Sequence, residues 1–111
     1  MATTVRAPFG ATDVQSPAFN TTQAITITND DTIFSPVSAT DNVTLNLTID
    51  SSVNVGATLL ILWLTDGTET LTFGTAITAP VITGVAAKTH TQKFTFTGAS
   101  FIATGAEIQI D

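Results

Sequence analysis

The sequence predicts an all-β fold: one β-sandwich or jelly-roll-like domain of about 7 to 8 short antiparallel strands, preceded by an extended N-terminal arm. Three observations predict it. Threonine supplies 24 of the 111 residues, and its apolar partners are mostly Ile, Val, Leu and Phe, the set that fills pleated strands and disfavours helix. Single alternation of apolar and polar residues recurs along the chain, and no stretch carries a 3.6-residue period. Clusters of Asn, Asp, Ser, Gly and Pro separate the alternating stretches at strand-like spacing.

Residues 1–23 lack alternation and hold Pro8 and Pro17, so they read as the arm, and residues 24–111 as the domain. The first strand follows from Ile25 and Ile27 facing one way and Thr26 and Thr28 the other, with Asn29, Asp30 and Asp31 supplying a turn. Over residues 43–50, Val43, Leu45, Leu47 and Ile49 alternate with Thr44, Asn46, Thr48 and Asp50. One face of that strand is therefore core. Ser51 and Ser52 turn the chain, and Gly56 marks a bulge or bend.

Residues 58–73 read as a β-hairpin closed by a type I′ turn at Asp66 and Gly67, both at positive φ. That turn sets the register. It puts Leu60, Leu62, Leu64, Leu71 and Phe73 on the core face and leaves Ile61 and Trp63 among threonines on the other. Residues 74–88, broken by Pro80 and Gly84, read as a loop with a short edge strand. Beyond it, Phe94 and Phe96 point inward between Lys93, Thr95 and Thr97; Gly98, Ala99 and Ser100 turn the chain into Phe101 and Ile102; and a last strand covers 106–110. No fixed-period repeat is visible, which argues against a solenoid or a propeller.

Composition restricts function. The formal charge is −6, and Arg6, Lys88 and Lys93 are the only Lys or Arg cations, too few to neutralise a row of phosphates or to favour an anionic membrane. The absence of cysteine excludes disulfides and thiolate chemistry. No apolar run follows Arg6 in residues 1–20, as a signal peptide would require, and the longest apolar run, residues 59–64, falls short of the about 20 needed to span a bilayer as a helix. Charged residues make up 11% of the chain, against about 25% in typical soluble domains, and residues 70–87 carry none. A small domain with so few charges is expected to cover part of its surface with other subunits.

No catalytic, cofactor-binding or metal-binding residues are expected. His90 has no nearby nucleophile or acid partner in the sequence, and no G-x-S-x-G elbow exists. Asn29, Asp30, Asp31 and Asp41 lack the spaced ligands of a calcium loop and read as turn formers. The Asn-x-Thr triplets at Asn20, Asn42 and Asn46 match glycosylation acceptors but exceed chance only weakly. Threonine pairs such as Thr26 and Thr28, or Thr70 and Thr72, suggest the flat arrays of ice-binding solenoids, for which the missing repeat is the objection. Trp63 could stack on a sugar, although a lone aromatic among threonines better suits an interface anchor.

The rhythm of Leu71-Thr72-Phe73-Gly74-Thr75-Ala76-Ile77, then Ile82-Thr83-Gly84-Val85-Ala86-Ala87-Lys88-Thr89, then Phe94-Thr95-Phe96-Thr97-Gly98 resembles small β-rich virion proteins of tailed bacteriophages, the auxiliary capsid (head decoration) and head-fibre type. Many of these carry Asp-Gly before the last hydrophobic strand, where this chain has Thr97-Gly98-Ala99-Ser100. The resemblance implies a non-enzymatic structural protein of the virion, assembled in the host cytoplasm, that binds itself as a homotrimer or other closed oligomer and binds the major capsid protein or other virion proteins. The alternative is a carbohydrate- or receptor-binding module of a phage fibre. Expected contact residues are Ile61, Trp63, Pro80 and Val81 on the domain, and Phe9 and Phe19 on the arm.

Overall fold

The structure is a computed structural model that describes residues 12–111. Its strands are β1 (Asp13–Gln15), β2 (Thr22–Ile27), β3 (Asp31–Phe34), β4 (Val43–Ile49), β5 (Thr58–Leu64), β6 (Thr70–Phe73), β7 (Ile77–Thr78), β8 (Ile82–Thr83), β9 (Thr89–Phe96), β10 (Phe101–Ala103) and β11 (Ile108–Gln109). Among the described residues there is no helix, so none is long and apolar enough to cross a membrane.

The all-β expectation holds, and the sandwich or jelly-roll expectation does not. Successive strands alternate between two sheets, so that β1, β3 and β5 lie parallel in sheet A while β2, β4 and β6 lie parallel in sheet B. Each strand therefore pairs with the strand two places on, which is the connectivity of a β-solenoid of stacked coils. The coils differ in length. Val14 stands opposite Ile33, 19 residues on; Ile25 opposite Leu47, 22 on; Ile33 opposite Leu60, 27 on; and Val43 opposite Leu71, 28 on. Unequal corners hide the repeat, which is why no fixed period is readable in the sequence.

The stack ends by reversing direction. β9 runs antiparallel along the free edge of β5, from Thr58 opposite Thr95 to Leu64 opposite Thr89, and β8 does the same for β6. β10 and β11 then pair with the two ends of β9, and β7 closes the order of sheet A beside β10. Antiparallel closing strands of this kind cap an edge that would otherwise template further pairing.

The expected 58–73 hairpin is likewise corrected, because β5 belongs to sheet A and β6 to sheet B. Asp66 and Gly67 form a corner between sheets, and neither adopts positive φ; in the described residues that conformation falls to Gly56, Gly98, Gly105, Ala76 and Ala87. The corner is closed instead by Ala39 and Thr65, with the Asp66 amide donating to the Ala39 carbonyl at 3.2 Å.

The core lies between the sheets. Ile25, Ile27, Val43, Leu45, Leu47 and Leu71 face it from sheet B; Phe34, Leu59, Ile61, Trp63, Phe94 and Phe101 face it from sheet A. Phe73 and Phe94 meet across it with ring centroids 5.2 Å apart. The alternations predicted for residues 25–28, 43–50 and 93–97 are found as expected, as is the turn into Phe101 and Ile102.

Polar side chains stitch one coil to the next. The Asp30 carboxylate accepts from the Asn54 amide and from Asn54 Nδ2, both at 2.9 Å, and Asp31 accepts from the hydroxyls of Thr12 at 2.7 Å and Thr58 at 3.1 Å. Asn42 Oδ1 accepts from the Thr70 amide at 3.0 Å and Asn46 Oδ1 from the Thr75 amide at 2.8 Å. Corner amides that would otherwise lack a partner are thereby satisfied. Gly84 is needed where two corners touch, because a Cβ there would stand 2.7 Å from Thr65 Cγ2.

Candidate functional site

A strand that is apolar on both faces needs cover on both. Residues 59–64 form such a strand in β5, and among the described residues the core takes up only one side of it. Leu59, Ile61 and Trp63 point into the core, with Trp63 only 1% exposed, whereas Leu60, Leu62 and Leu64 point outward. The expected face assignment is therefore inverted. Ile61 and Trp63, read as contact residues, are interior and held by the chain's own packing; the leucines read as core stand on the back of sheet A.

Register explains the inversion. Leu59 pairs with Phe94 and Trp63 with His90 across the β5–β9 ladder, so β5 must send in the side that matches Phe94 and Phe96. The hairpin reading matched β5 against β6 and lost that constraint. Two signals in the sequence pointed the other way: the alternation of Phe94 and Phe96 with Lys93 and Thr95, and the unbroken apolar run itself.

The same register extends the apolar surface sideways. One row across sheet A runs Val14, Ile33, Leu60 and Lys93, and another runs Leu62, Thr91 and Ile108. Ile102 stands beside Thr95 in a third row, whose other end is Asp31 and Thr58. Val14 and Ile108 are more than half exposed, and Ile33, Leu60 and Leu62 are half-buried. Beyond Leu64 a depression of about 360 Å³, bordered by Ser38, Asp66, Ala86 and Ala87, continues the surface. Asp31 and Lys93 are the charged residues in these rows.

The back of sheet B is different. Thr22, Thr44 and Thr72 form one row, Thr26 and Thr48 another, and Thr70 pairs with Thr83. The stack that an ice-binding array requires is thus present. Ala24 and Asn46 form the intervening row, so the threonines do not make an unbroken lattice.

The remaining expected contact residues are scattered. Pro80 and Val81 are exposed just before β8, at the edge of sheet B, and do not join the back of sheet A. Phe19 packs partly buried against the core. Phe9 lies outside the described residues. Within residues 13–23, read as part of the arm, β1 pairs with β3 and β2 with β4, while buried Gln23 donates through Nε2 to the Ala18 carbonyl at 2.7 Å.

Candidate chemistry finds no constellation among the described residues. His90 is interior, 4% exposed, with Nδ1 lacking a hydrogen-bond partner, and it stands beside Trp63. A depression of about 330 Å³ near Ile49, Val55 and Phe96 is bordered by a single titratable group, Asp50. The Ser52 hydroxyl and amide donate to that carboxylate and hold its pKa below the usual value. No group of three or more His, Cys, Asp or Glu residues among the described residues could hold a metal ion. Asn20, Asn42 and Asn46 use Oδ1 to accept backbone amides, which gives each a structural role. Comparisons with protein-family models, with curated proteins and with solved structures each return no match.

Proposed function

We propose that this protein is a non-enzymatic structural component of a bacteriophage virion, decorating or stabilising the capsid through subunit and lattice contacts. One observation carries the reading: among the described residues, the back of sheet A turns half-buried Ile33, Leu60 and Leu62 and exposed Val14, Leu64 and Ile108 away from the core as an apolar face. An apolar face on a chain with 11% charged residues is suited to lasting contact with protein. The resemblance of residues 71–98 to small head-decoration and head-fibre proteins supplies the setting, and the expected partners are other copies of the chain and the major capsid protein.

The carbohydrate-binding alternative loses its best residue, because Trp63 is interior and cannot stack on a sugar ring. The test is co-sedimentation of the purified protein with capsids assembled from the major capsid protein of the virion it is proposed to decorate. Saturable binding at a fixed ratio to capsid subunits is the expected result; protein left entirely in the supernatant would contradict the reading.

A further inference from the structure

We propose that the corner between β5 and β6 is a self-modification site, where the Asp66-Gly67 linkage closes to a cyclic imide and reopens as a β-linked, isoaspartyl bond. The inference is independent of the virion reading.

Hydrogen bonding sets Asp66 apart from the other aspartates. Asp13 accepts from Gln15 Nε2 at 3.0 Å, Asp41 from the Asn42 amide at 2.7 Å and Asp111 from the Thr89 amide at 2.6 Å, while Asp30, Asp31 and Asp50 hold the partners described above. A carboxylate tied in this way must give up its bond before it can turn onto its own chain. The exposed Asp66 carboxylate accepts from no described residue, alone among the described aspartates.

The residue that follows is equally open. Gly67 has no Cβ to shield its nitrogen, and its amide donates to no described residue. The glycine is also what the site accepts, because a Cβ there would stand 2.9 Å from Glu69 Oε2. Residues 66–68 lie between β5 and β6 and outside both, so turning the Asp66 side chain breaks no strand pairing.

The chemistry needs only water. The Asp66 carboxylate takes up a solvent proton, the Gly67 nitrogen attacks Cγ, and the carboxyl hydroxyl leaves with the amide proton as water. Water then adds to one of the two imide carbonyls. Addition at Cγ breaks the new C–N bond and restores the original linkage. Addition at the main-chain carbonyl breaks the old C–N bond, leaving Gly67 attached through Cγ and Asp66 with a free α-carboxylate. Either opening returns the proton to solvent.

The β-linked form has one more carbon in its backbone, and this corner has little slack. The Asp66 amide donates to the Ala39 carbonyl at 3.2 Å, the Thr65 hydroxyl to the Gly67 carbonyl at 2.9 Å and the Ala87 amide to the Thr65 carbonyl at 2.9 Å, with Gly84 packed on Thr65. Lengthening the chain between Asp66 and Gly67 therefore loosens the joint between the two sheets.

The experiment ages the full-length folded protein at neutral pH in heavy-oxygen water, beside a free peptide of residues 63–70 and the variant Asp66→Glu, which keeps the charge but needs a six-membered ring. Isoaspartate is located by peptide mapping and counted by enzymatic methyl transfer to the freed α-carboxylate. Expected are a β-linked product at Asp66 with one heavy oxygen, none at the other aspartates, loss of the product in Asp66→Glu, and a lower thermal midpoint in the converted fraction. An Asp66 still unconverted after the free peptide has reacted, or equal conversion at the hydrogen-bonded aspartates, would overturn the proposal. A converted fraction that melts with the unconverted protein would overturn its action on the joint.

Discussion

The backs of the two sheets are built from the same kind of strand and differ in what stands on them. Sheet B turns outward Thr22, Thr26, Thr44, Thr48 and Thr72, hydroxyls that water satisfies. Sheet A turns outward Val14, Ile33, Leu60, Leu62 and Ile108, which water does not. Both inner faces are apolar, so sheet B has the one-sided alternation of a solvent-backed sheet and sheet A the two-sided apolarity of a sheet meant to be covered twice. The difference separates the two sheets: both close the core, and sheet A also turns apolar side chains away from it.

The largest effect expected from breaking this contrast is on the inner side of β5. Trp63→Ala should cost about 3–5 kcal/mol, a large share of the roughly 5–15 kcal/mol that stabilises a typical domain, because it empties a core site. Leu62→Lys, one residue away on the other face, should cost about 1 kcal/mol or less in dilute protein. Chemical denaturation of both variants checks the pair; equal losses would mean that the two faces of β5 are not distinct.

Next is the corner where the two sheets are joined. Gly84→Ala drives a methyl group against Thr65, and overpacking of this kind should cost about 1–3 kcal/mol. A thermal midpoint indistinguishable from wild type would mean that the corner is looser than the contact implies.

On sheet B the stitching residues should count for more than the threonines beside them. Asn46→Ala removes the acceptor for the Thr75 amide and should cost about 1 kcal/mol, whereas Thr48→Ala, exposed on the same strand, should stay within about 0.5 kcal/mol. The smallest effect is expected at Asp50. Its folded pKa is lowered by the Ser52 hydroxyl and then the Ser52 amide, so its contribution is fully present above the usual value of 3.8 and disappears as the pH falls through the lower folded value. Ser52→Ala should flatten stability against pH in that acid window and nowhere else.

Much of this architecture was legible in the sequence, and the parts that were not have identifiable causes. Stretches with clean alternation, such as Val43–Ile49 and residues 93–97, could be read with their facing correct, because a one-residue slip would have buried Asn46 or Lys93, whereas His90 at the entrance of the same strand reads as a surface residue and is interior. The solenoid could not be read, since its coils advance by 19 to 28 residues and present no period. Two of its corners are also silent. Ala76 and Ala87 sit at φ 63° and 60°, a conformation in which Gly or Asn would have announced a turn and alanine announces nothing. The Asp66-Gly67 pair announced a hairpin that the chain does not make, because Thr65 is tied to Ala39 of the preceding coil. From that error the inversion of β5 followed, and with it the exchange of Trp63 and the leucines between the two faces of the strand.

The central claim is that β5 sends Trp63 inward and its leucines outward, and the single tryptophan makes this directly measurable. We would record Trp63 emission and its quenching by acrylamide across a dilution series that passes through any dissociation of the protein. The account predicts blue-shifted emission, protected from quencher and unchanged by dilution, because the ring is covered by its own chain. Emission that becomes red-shifted and quencher-accessible in the dilute protein would place Trp63 at a subunit contact and overturn the assignment of the two faces.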